Sequence, residues 1–283
     1  MNKKLVLVEG LPGSGKTTTA TMVESVLKEM GLTTELYLEG NLDHPADYEA
    51  VASFTEEEFN ILKEDSAYAS FFENNGSYFR EGPYYLVRYL KLKNEYKDEF
   101  PYELLERLSK NDIYELPFEQ NEEIITASWR NFASKAVEEE KVYIFECCFI
   151  QNPVTVGMIK YGLPKEKSVQ YVERLQKSVE SLNPLLIYVH QDDIEFTFSK
   201  AVEERPKEWS DGFMHYYTQQ GYGKNQNLEG FSGTVEVLKA RRELEGEIID
   251  QLNMQSFVLN NTKYNKDEST KLIRDVLTKY FSS

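Results

Sequence analysis

The sequence predicts an α/β fold with a doubly wound, parallel, five-stranded sheet. Short apolar runs bounded by turn residues alternate with helical apolar stripes, and a glycine-rich segment joins the first run to the first stripe. Continuous apolar runs are typical of strands buried on both faces, which favours a parallel sheet. The five predicted strands are residues 5–8, 34–38, 141–145, 184–189 and 256–259.

Helices are predicted between these strands. Apolar residues from Val23 to Met30 recur at helical spacing and Gly31 supplies a C-terminal stop, so the first helix follows the glycine-rich segment. Similar stripes at residues 172–182 and 272–277 predict one helix before the fourth strand and another near the C-terminus. Strands that alternate with helices are joined by crossover connections, as a parallel sheet requires.

Two long intervals interrupt this alternation. Residues 41–140 are acidic and aromatic, show no core strand, and are predicted to form a large helical insertion in which Pro83 and Pro101 each begin a helix. Residues 206–245 are rich in Gly, Gln and Tyr, a composition that suits a mobile lid. The prediction is one domain of residues 1–283, with its core in residues 1–40, 141–205 and 246–283.

Composition limits the kind of protein. The net charge of −16 and the lack of a basic run argue against a nucleic-acid partner, because phosphate backbones need a basic face. No apolar stretch approaches the roughly 18 residues of a membrane span, and the chain enters its first strand at once, so no membrane segment or signal peptide is expected. Cys147 and Cys148 are adjacent, which suits neither a disulfide nor a zinc site. We expect a reduced, cytoplasmic protein, with a homodimer left open.

Residues 10–17, Gly-Leu-Pro-Gly-Ser-Gly-Lys-Thr, match the phosphate-binding pattern G-x-x-x-x-G-K-[ST] between a predicted strand and a predicted helix. The glycines let successive backbone N–H groups turn into one concavity, and a helix N-terminus favours phosphate oxygens. Lys16 can reach the β- and γ-phosphates, and the Thr17 hydroxyl can hold Mg²⁺. The predicted ligand is a nucleoside triphosphate with Mg²⁺, bound by Gly10, Pro12, Gly13, Ser14, Gly15, Lys16, Thr17 and Thr18.

Acidic residues follow two of the predicted strands. Glu39 comes after the second strand and Glu146 after the third. Ligands of doubly wound sheets bind beyond the carboxyl ends of the strands, so both acids should face the γ-phosphate. Phosphoryl transfer needs a carboxylate near the metal and a group that takes the proton of the attacking hydroxyl. The two acids are therefore predicted to be catalytic, with a surface strand end as the alternative for each.

Four segments share the order of elements of a known family. They are Glu-Gly-Leu-Pro-Gly-Ser-Gly-Lys-Thr-Thr at 9–18, Phe145-Glu146, residues 184–189 with Ile194 and Arg205, and Leu259-Asn260-Asn261 with Ile273. Together they resemble the P-loop kinases of the thymidylate kinase and deoxynucleoside kinase group, over about half of the chain.

This resemblance implies a sheet of the P-loop NTPase type and ATP as the phosphate donor. It also implies Glu39 as the base and Glu146 as a ligand of Mg²⁺ alongside Thr17, although an exchange of the two roles stays open. Cys147 and Cys148 stand where that group has an arginine after the strand-end acid.

Arginines in and near the predicted lid are candidates for neutralising the transferring phosphoryl group. Arg205 follows a predicted helix, and a guanidinium there could close over that group. The alternative for Arg205 is a salt bridge with a neighbouring acid such as Glu204. Arg241 and Arg242 form a second candidate pair, for which a solvated helix face is the alternative.

The acceptor is predicted to be a small hydroxylated molecule, nucleoside-like or antibiotic-like. A substrate phosphate would need an arginine clamp, and no arginine occurs between Lys16 and Arg80, which favours an uncharged or cationic acceptor. Asp43 or Asp47 could bind its hydroxyl or amine groups, with a turn role as the alternative for each.

Two other functions stay open. A nucleoside monophosphate kinase would use Arg130 as its clamp, and a nucleotide-binding regulatory protein would act through the helical insertion. A GTPase is not expected, because no aspartate is followed by glycine three residues later.

Overall fold

The computed structural model describes residues 3–73 and 76–282 as a mixed α/β protein. The chain forms two compact units. We call Met1–Glu39 with Ala133–Ser283 the sheet unit, and Gly40–Phe132 the inserted unit. Each unit has a buried apolar core of its own.

Five strands of the sheet unit form one parallel sheet, and all five strand predictions are confirmed to within two residues at either end. The strands are β1 Leu5–Gly10, β2 Thr34–Tyr37, β6 Val142–Glu146, β7 Leu185–His190 and β8 Gln255–Asn260. In space they lie in the order β2-β6-β1-β7-β8, and every neighbouring pair is parallel.

The strand β1 lies at the centre of this sheet. Its Leu7 is paired with Phe145 of β6 on one side and with Leu186 of β7 on the other. The chain leaves β1 towards β2 and later crosses to β7 on the opposite side, so the direction of winding reverses at β1. Ligand sites of open parallel sheets occur at the carboxyl edge beside such a reversal. The glycine-rich segment begins at that edge.

Helices flank the sheet. They are α1 Lys16–Glu29, α6 Gln151–Val154, α7 Lys165–Val179, α8 Ile194–Glu204, α9 Lys207–Thr218, α10 Gly221–Asn225, α11 Gly230–Gln251 and α12 Lys266–Ser282, with a π-helical segment at Thr155–Lys160 and a 3₁₀ turn at Glu180–Leu182. Within residues 3–73 and 76–282, no helix has both the length and the apolar character needed to cross a membrane.

Side chains of each strand alternate between the two faces of the sheet, so the core of the sheet unit lies on both faces. Val6 and Val8 of β1 are fully buried in a cluster with residues of α1 and α12, such as Val23 and Ile273. Leu5 and Leu7, which are also buried, point to the opposite face because successive side chains of a strand alternate. Burial of each such side chain contributes about 1.5–3 kcal/mol. This apolar core holds the carboxyl edge of the sheet in place.

The segment predicted as a lid, residues 206–245, forms α9, α10 and the first part of α11. Three of its five glycines, Gly221, Gly223 and Gly233, lie at close backbone contacts. Gly221 has a φ of +42°, and a Cβ atom at this position would collide with the carbonyl oxygen of Ile159 in the π-helical segment. Packing therefore explains three of these glycines, and lid motion stays a prediction.

The inserted unit combines helices with a small sheet, so the helical prediction for this interval was incomplete. Its three strands are β3 Ala52–Phe54, β4 Tyr78–Glu81 and β5 Tyr84–Val87, and they form an antiparallel sheet in the order β3-β5-β4. They are too short for alternation to be recognised in the sequence. Its helices are α2 Glu56–Glu64, α3 Tyr89–Tyr96, α4 Tyr102–Ser109 and α5 Phe118–Ala136, and α5 continues into the sheet unit. There are 3₁₀ turns at Ala69–Phe72, Lys97–Glu99 and Ile113–Glu115.

A helix was predicted to begin at Pro101 and another at Pro83, and only the first is present. Pro101 immediately precedes α4, which confirms that prediction. Pro83 lies in the two-residue turn between β4 and β5, so the helix predicted there was wrong. The reason is Gly82, whose φ of +57° meets the need for a positive φ at the first central position of a tight hairpin turn.

Aromatic side chains of the inserted unit pack into its core. Phe59 stacks on Tyr85 at 4.8 Å between ring centroids, and Phe71 meets Phe100 edge to face at 5.4 Å. Phe59, Phe71 and Phe100 are buried. Packing within the unit therefore accounts for these aromatic residues.

We expect Gly221→Ala to destabilise the sheet unit by at least about 2 kcal/mol, because the new Cβ atom meets rigid backbone at a positive φ. Gly246→Ala is the matched control, since Gly246 lies within α11 and a Cβ atom there would meet no neighbouring element within 4 Å. The control should gain up to about 1 kcal/mol of stability from helix propensity. Urea unfolding measures both, and equal midpoints for the two variants would contradict the close-packing explanation.

Candidate active site

The glycine-rich segment between β1 and α1 has the backbone conformation that its glycines permit. Gly10, Gly13 and Gly15 all have positive φ values, at 147°, 80° and 98°. At Gly13 a Cβ atom would lie 2.9 Å from the carbonyl oxygen of Thr197, which adds a steric reason for glycine. The sequence prediction of three conformationally special glycines in this loop is confirmed.

Side chains beyond β7 and β8 hold the carbonyl groups of this loop. The Ser14 carbonyl accepts hydrogen bonds from Gln191 Nε2 at 3.1 Å and Asn261 Nδ2 at 2.8 Å. The Gly13 carbonyl accepts one from the Tyr264 hydroxyl at 3.2 Å. Gly15, the N-cap of α1, has no side chain to bind the first N–H groups of the helix. These groups and the positive end of the helix dipole suit an anionic ligand.

Lys16 begins α1 and is 6% exposed. Its Nζ atom donates to the carbonyl oxygen of Leu11 at 3.1 Å, so the ammonium group lies over the loop. Burial lowers the pKa of Lys16, whereas Cys147, Glu39 and Glu146 nearby raise it, and the resulting pKa lies above the ordinary value. Lys16 is therefore charged at neutral pH, as binding of a phosphate oxygen requires.

Glu146 joins the loop to the ends of two strands. Its Oε1 atom accepts a hydrogen bond from the Thr17 hydroxyl at 2.6 Å, and its Oε2 atom accepts one from the backbone N–H of Glu39 at 3.3 Å. Glu146 is 3% exposed, whereas Glu39 is exposed. The structure thus brings together Lys16, Thr17, Glu39 and Glu146, four of the residues that the sequence singles out.

Cys147 completes a group of three candidate metal ligands with Glu39 and Glu146, whose ligand atoms lie within 4.8 Å of one another. Burial raises the pKa of Cys147 well above its ordinary value, so the thiol stays protonated. It donates to Glu39 Oε2 at 3.6 Å. With the thiol neutral, the remaining donors are carboxylate and hydroxyl oxygens, which suit Mg²⁺ better than zinc. Cys147 and Cys148 are both buried, and neither is joined in a disulfide among the described residues.

Sequence reasoning missed the residues that support the site. Gln191 and Asn261 directly follow β7 and β8, so the strand-end rule that selects Glu39 and Glu146 could have found them. Glu9 and Gln151 were also missed. Burial raises the pKa of Glu9 to about 7, although hydrogen bonds from the backbone of residues 149–151 lower it.

The candidate lid arginines lie in different environments. Arg205 is exposed, and its guanidinium carbon lies 4.1 Å from the ring centroid of Trp209. Arg241 is fully buried and its Nε atom donates to Glu245 Oε1 at 2.7 Å, so a solvated helix face was the wrong alternative for this residue. Arg242 donates to the backbone carbonyl groups of Gln191 and Asp192, at 3.3 Å each.

The candidate acceptor residues belong to the inserted unit. The Asp43 carboxylate pairs with Lys91, and the Asp47 carboxylate accepts a hydrogen bond from the Tyr114 hydroxyl. Arg130 lies on an exposed position of α5. For each of these three residues, binding of the acceptor stays a hypothesis.

Comparison of the chain with models of protein families and with curated proteins finds no match.

The protonation state of His44 affects the stability of the inserted unit. It is 3% exposed, and its Nδ1 atom accepts hydrogen bonds from the backbone N–H groups of Ala46 and Asp47 at 3.1 and 2.7 Å. Burial lowers the pKa of His44 to about 3. Protonation would place a charge in the core and remove the acceptor.

Between pH 7 and pH 5 the unfolded chain therefore binds a proton at His44 that the folded chain does not. The free energy of unfolding should fall by about 2 kcal/mol over this interval as a result of this one group. His44→Asn should remove that part of the slope, while His215→Asn, at an exposed position, should retain it. Urea unfolding at several pH values makes the comparison, and identical slopes for the wild type and His44→Asn would refute the prediction.

Proposed function

We propose that this chain is an ATP-dependent kinase that transfers the γ-phosphate to a hydroxyl group of a small molecule. The observation that carries the proposal is the hydrogen bond of 2.6 Å between Thr17 Oγ1 and Glu146 Oε1, with Glu39 beside it. It joins a glycine-rich loop suited to phosphate with the two strand-end acids that phosphoryl transfer needs.

The sheet supports the same proposal. The loop follows the central strand at the reversal of winding, which is where doubly wound folds bind nucleotides. We therefore assign the sheet to the P-loop NTPase type, in line with the resemblance to the thymidylate kinase and deoxynucleoside kinase group. The inserted unit and residues 206–245 would be its substrate-covering insertion and its lid.

The residues have distinct parts in the proposed reaction. The loop N–H groups and Lys16 would hold the triphosphate, and Thr17 and Glu146 would hold Mg²⁺. When bound, Mg²⁺ would neutralise charge on the β- and γ-phosphate oxygens. Glu146 is 3% exposed and its Oε1 atom is bonded to the Thr17 hydroxyl, whereas Glu39 is exposed to an incoming substrate. Glu39 is therefore the better candidate for the base that takes the proton of the acceptor hydroxyl.

Charge favours an uncharged or cationic acceptor. Residues 40–132 contain 20 acidic and nine basic residues, so the inserted unit repels anions overall. A nucleoside monophosphate kinase, with Arg130 as the clamp, is the alternative within the same enzyme class. The nucleotide-binding regulator would need an apolar contact surface on the inserted unit. In the described part of that unit, the exposed large apolar side chains are those of Ile61 and Tyr102.

Release of ADP from Mg-ATP tests these functions directly. The assay is run with nucleosides, nucleoside monophosphates and hydroxylated antibiotics, including aminoglycoside-like compounds. Release that depends on an unphosphorylated acceptor supports the proposal, and release with monophosphates alone favours the Arg130 clamp. Binding of ATP without release for any acceptor favours the regulator, and failure to bind ATP overturns the nucleotide assignment.

Lys16→Ala should reduce transfer below detection, because the charge that contacts the β- and γ-phosphates is lost. Lys28→Ala is the matched control on the same helix, since the Lys28 side chain is 57% exposed and pairs with Glu24. The control should retain the wild-type rate of ADP release. Unchanged transfer by Lys16→Ala would remove the phosphate-binding assignment of the loop.

Glu39→Gln should bind Mg-ATP as the wild type does but lose about 10²–10⁴-fold in kcat, the usual contribution of a general base. Glu35→Gln, on β2, is the control for an acid outside the site. Calorimetric binding of ATP and the rate of ADP release separate the two effects. A wild-type kcat for Glu39→Gln would exclude Glu39 as the base.

A further inference from the structure

Gln151, the first residue of α6, makes two contacts that tie the candidate site together. Its side-chain Nε2 atom donates to Glu39 Oε1 at 2.8 Å. Its backbone N–H donates to Glu9 Oε2 at 3.0 Å. Glu9 immediately precedes Gly10, so this one carboxylate connects the base of the glycine-rich loop with the segment that follows β6.

Glu9 is a fixed anchor for that segment. Its side chain is 1% exposed, and its Oε1 atom accepts the backbone N–H of Phe149 at 2.7 Å. A carboxylate that binds two backbone N–H groups has a defined orientation. The intervening turn contains Cys147 at a φ of +71°, a conformation that is unfavourable for a residue other than glycine. The hydrogen bonds that Glu9 accepts from the backbone N–H groups at the end of this turn help to offset that cost.

Glu39 needs positioning because it is an exposed residue that follows an edge strand of the sheet. An exposed glutamate has several side-chain rotamers of similar energy. The amide of Gln151 selects the rotamers that keep the Glu39 carboxylate near Glu146 and Cys147. The thiol of Cys147 is a weak donor at 3.6 Å, so the amide is the stronger of these two contacts.

The other end of the Gln151 amide adds an energetic argument. Its Oε1 atom is buried and has no hydrogen-bond partner among the described residues. A buried, unpaired acceptor lowers the stability of the folded state. The amide thus keeps its bond to Glu39 in an arrangement that does not favour stability.

We infer that Gln151 is a positioning residue that holds Glu39 in place for transfer, and that Glu9 in turn holds Gln151. The inference rests on the proposed function, in which Glu39 takes the proton of the acceptor. Gln151 acts through Glu39 and has no chemical step of its own. Loss of its amide should therefore slow transfer without weakening the binding of Mg-ATP.

Kinetics of Gln151→Leu test the inference. We expect kcat to fall by about 10- to 100-fold, the scale of a displacement near 1 Å at a reacting group. The KM for Mg-ATP should change by less than about twofold. The melting temperature should be unchanged or higher, because the unpaired oxygen is removed. Gln170→Leu is the matched control on an exposed position of α7 and should behave as the wild type.

A double-mutant cycle separates positioning from a general structural effect. In the Glu39→Gln background, Gln151→Leu should cause no further loss of residual kcat, because the group that it positions is already disabled. Glu9→Gln should lower kcat in the wild type and have a smaller effect after Gln151→Leu. The same fold-loss from Gln151→Leu in both Glu39 backgrounds would overturn the inference.

A measurement without turnover distinguishes this failure from failure of the proposed function. The side-chain amide resonances of Gln151 in a ¹H–¹⁵N spectrum should move on Glu39→Gln and stay in place on Glu35→Gln. If no acceptor stimulates ADP release, the proposed function fails, and the spectrum still decides whether Glu39 and Gln151 are paired. Resonances that do not respond to Glu39→Gln would overturn the contact itself.

Discussion

The central position of β1 is the constraint on which the candidate site depends. A parallel sheet brings all strand carboxyl ends to one edge, and β1 has β6 on one side and β7 on the other. Glu146 therefore lies beside the loop that β1 leads into, and Gln191 and Asn261 approach the same loop from beyond β7 and β8. Residues far apart in the chain become neighbours because their strands are neighbours.

Several charged groups are buried close together at the carboxyl edge of the sheet. Lys16 is a buried cation near the carboxylates of Glu39 and Glu146, and Glu9 is buried close by. Burial of charged groups is costly unless they are paired or hydrogen-bonded, and each of these groups has such contacts. Burial keeps the thiol of Cys147 neutral within the same group. This balance is consistent with the proposed binding of a triphosphate and Mg²⁺.

The sequence predicts those parts of the candidate site that are contained in one short segment of the chain. Residues 10–17 place three glycines, Lys16 and Thr17 within one loop, and their positive φ values and helix start follow from local geometry. Glu39 and Glu146 were found because an acid at the end of an apolar strand is visible in the sequence. Gln151 was not found, because nothing in its neighbourhood indicates that its amide meets a residue 112 positions earlier in the chain.

The sequence by itself determined the five strands, the first helix and the loop between them, because each depends on apolar periodicity and glycine geometry within a few residues. Only the tertiary structure decided how distant segments meet. It paired Thr17 with Glu146, buried Arg241 against Glu245, and gave Gly221 a packing contact with Ile159. It also gave the inserted unit its small sheet, since strands of three or four residues are stabilised by their partners rather than by their own sequence pattern.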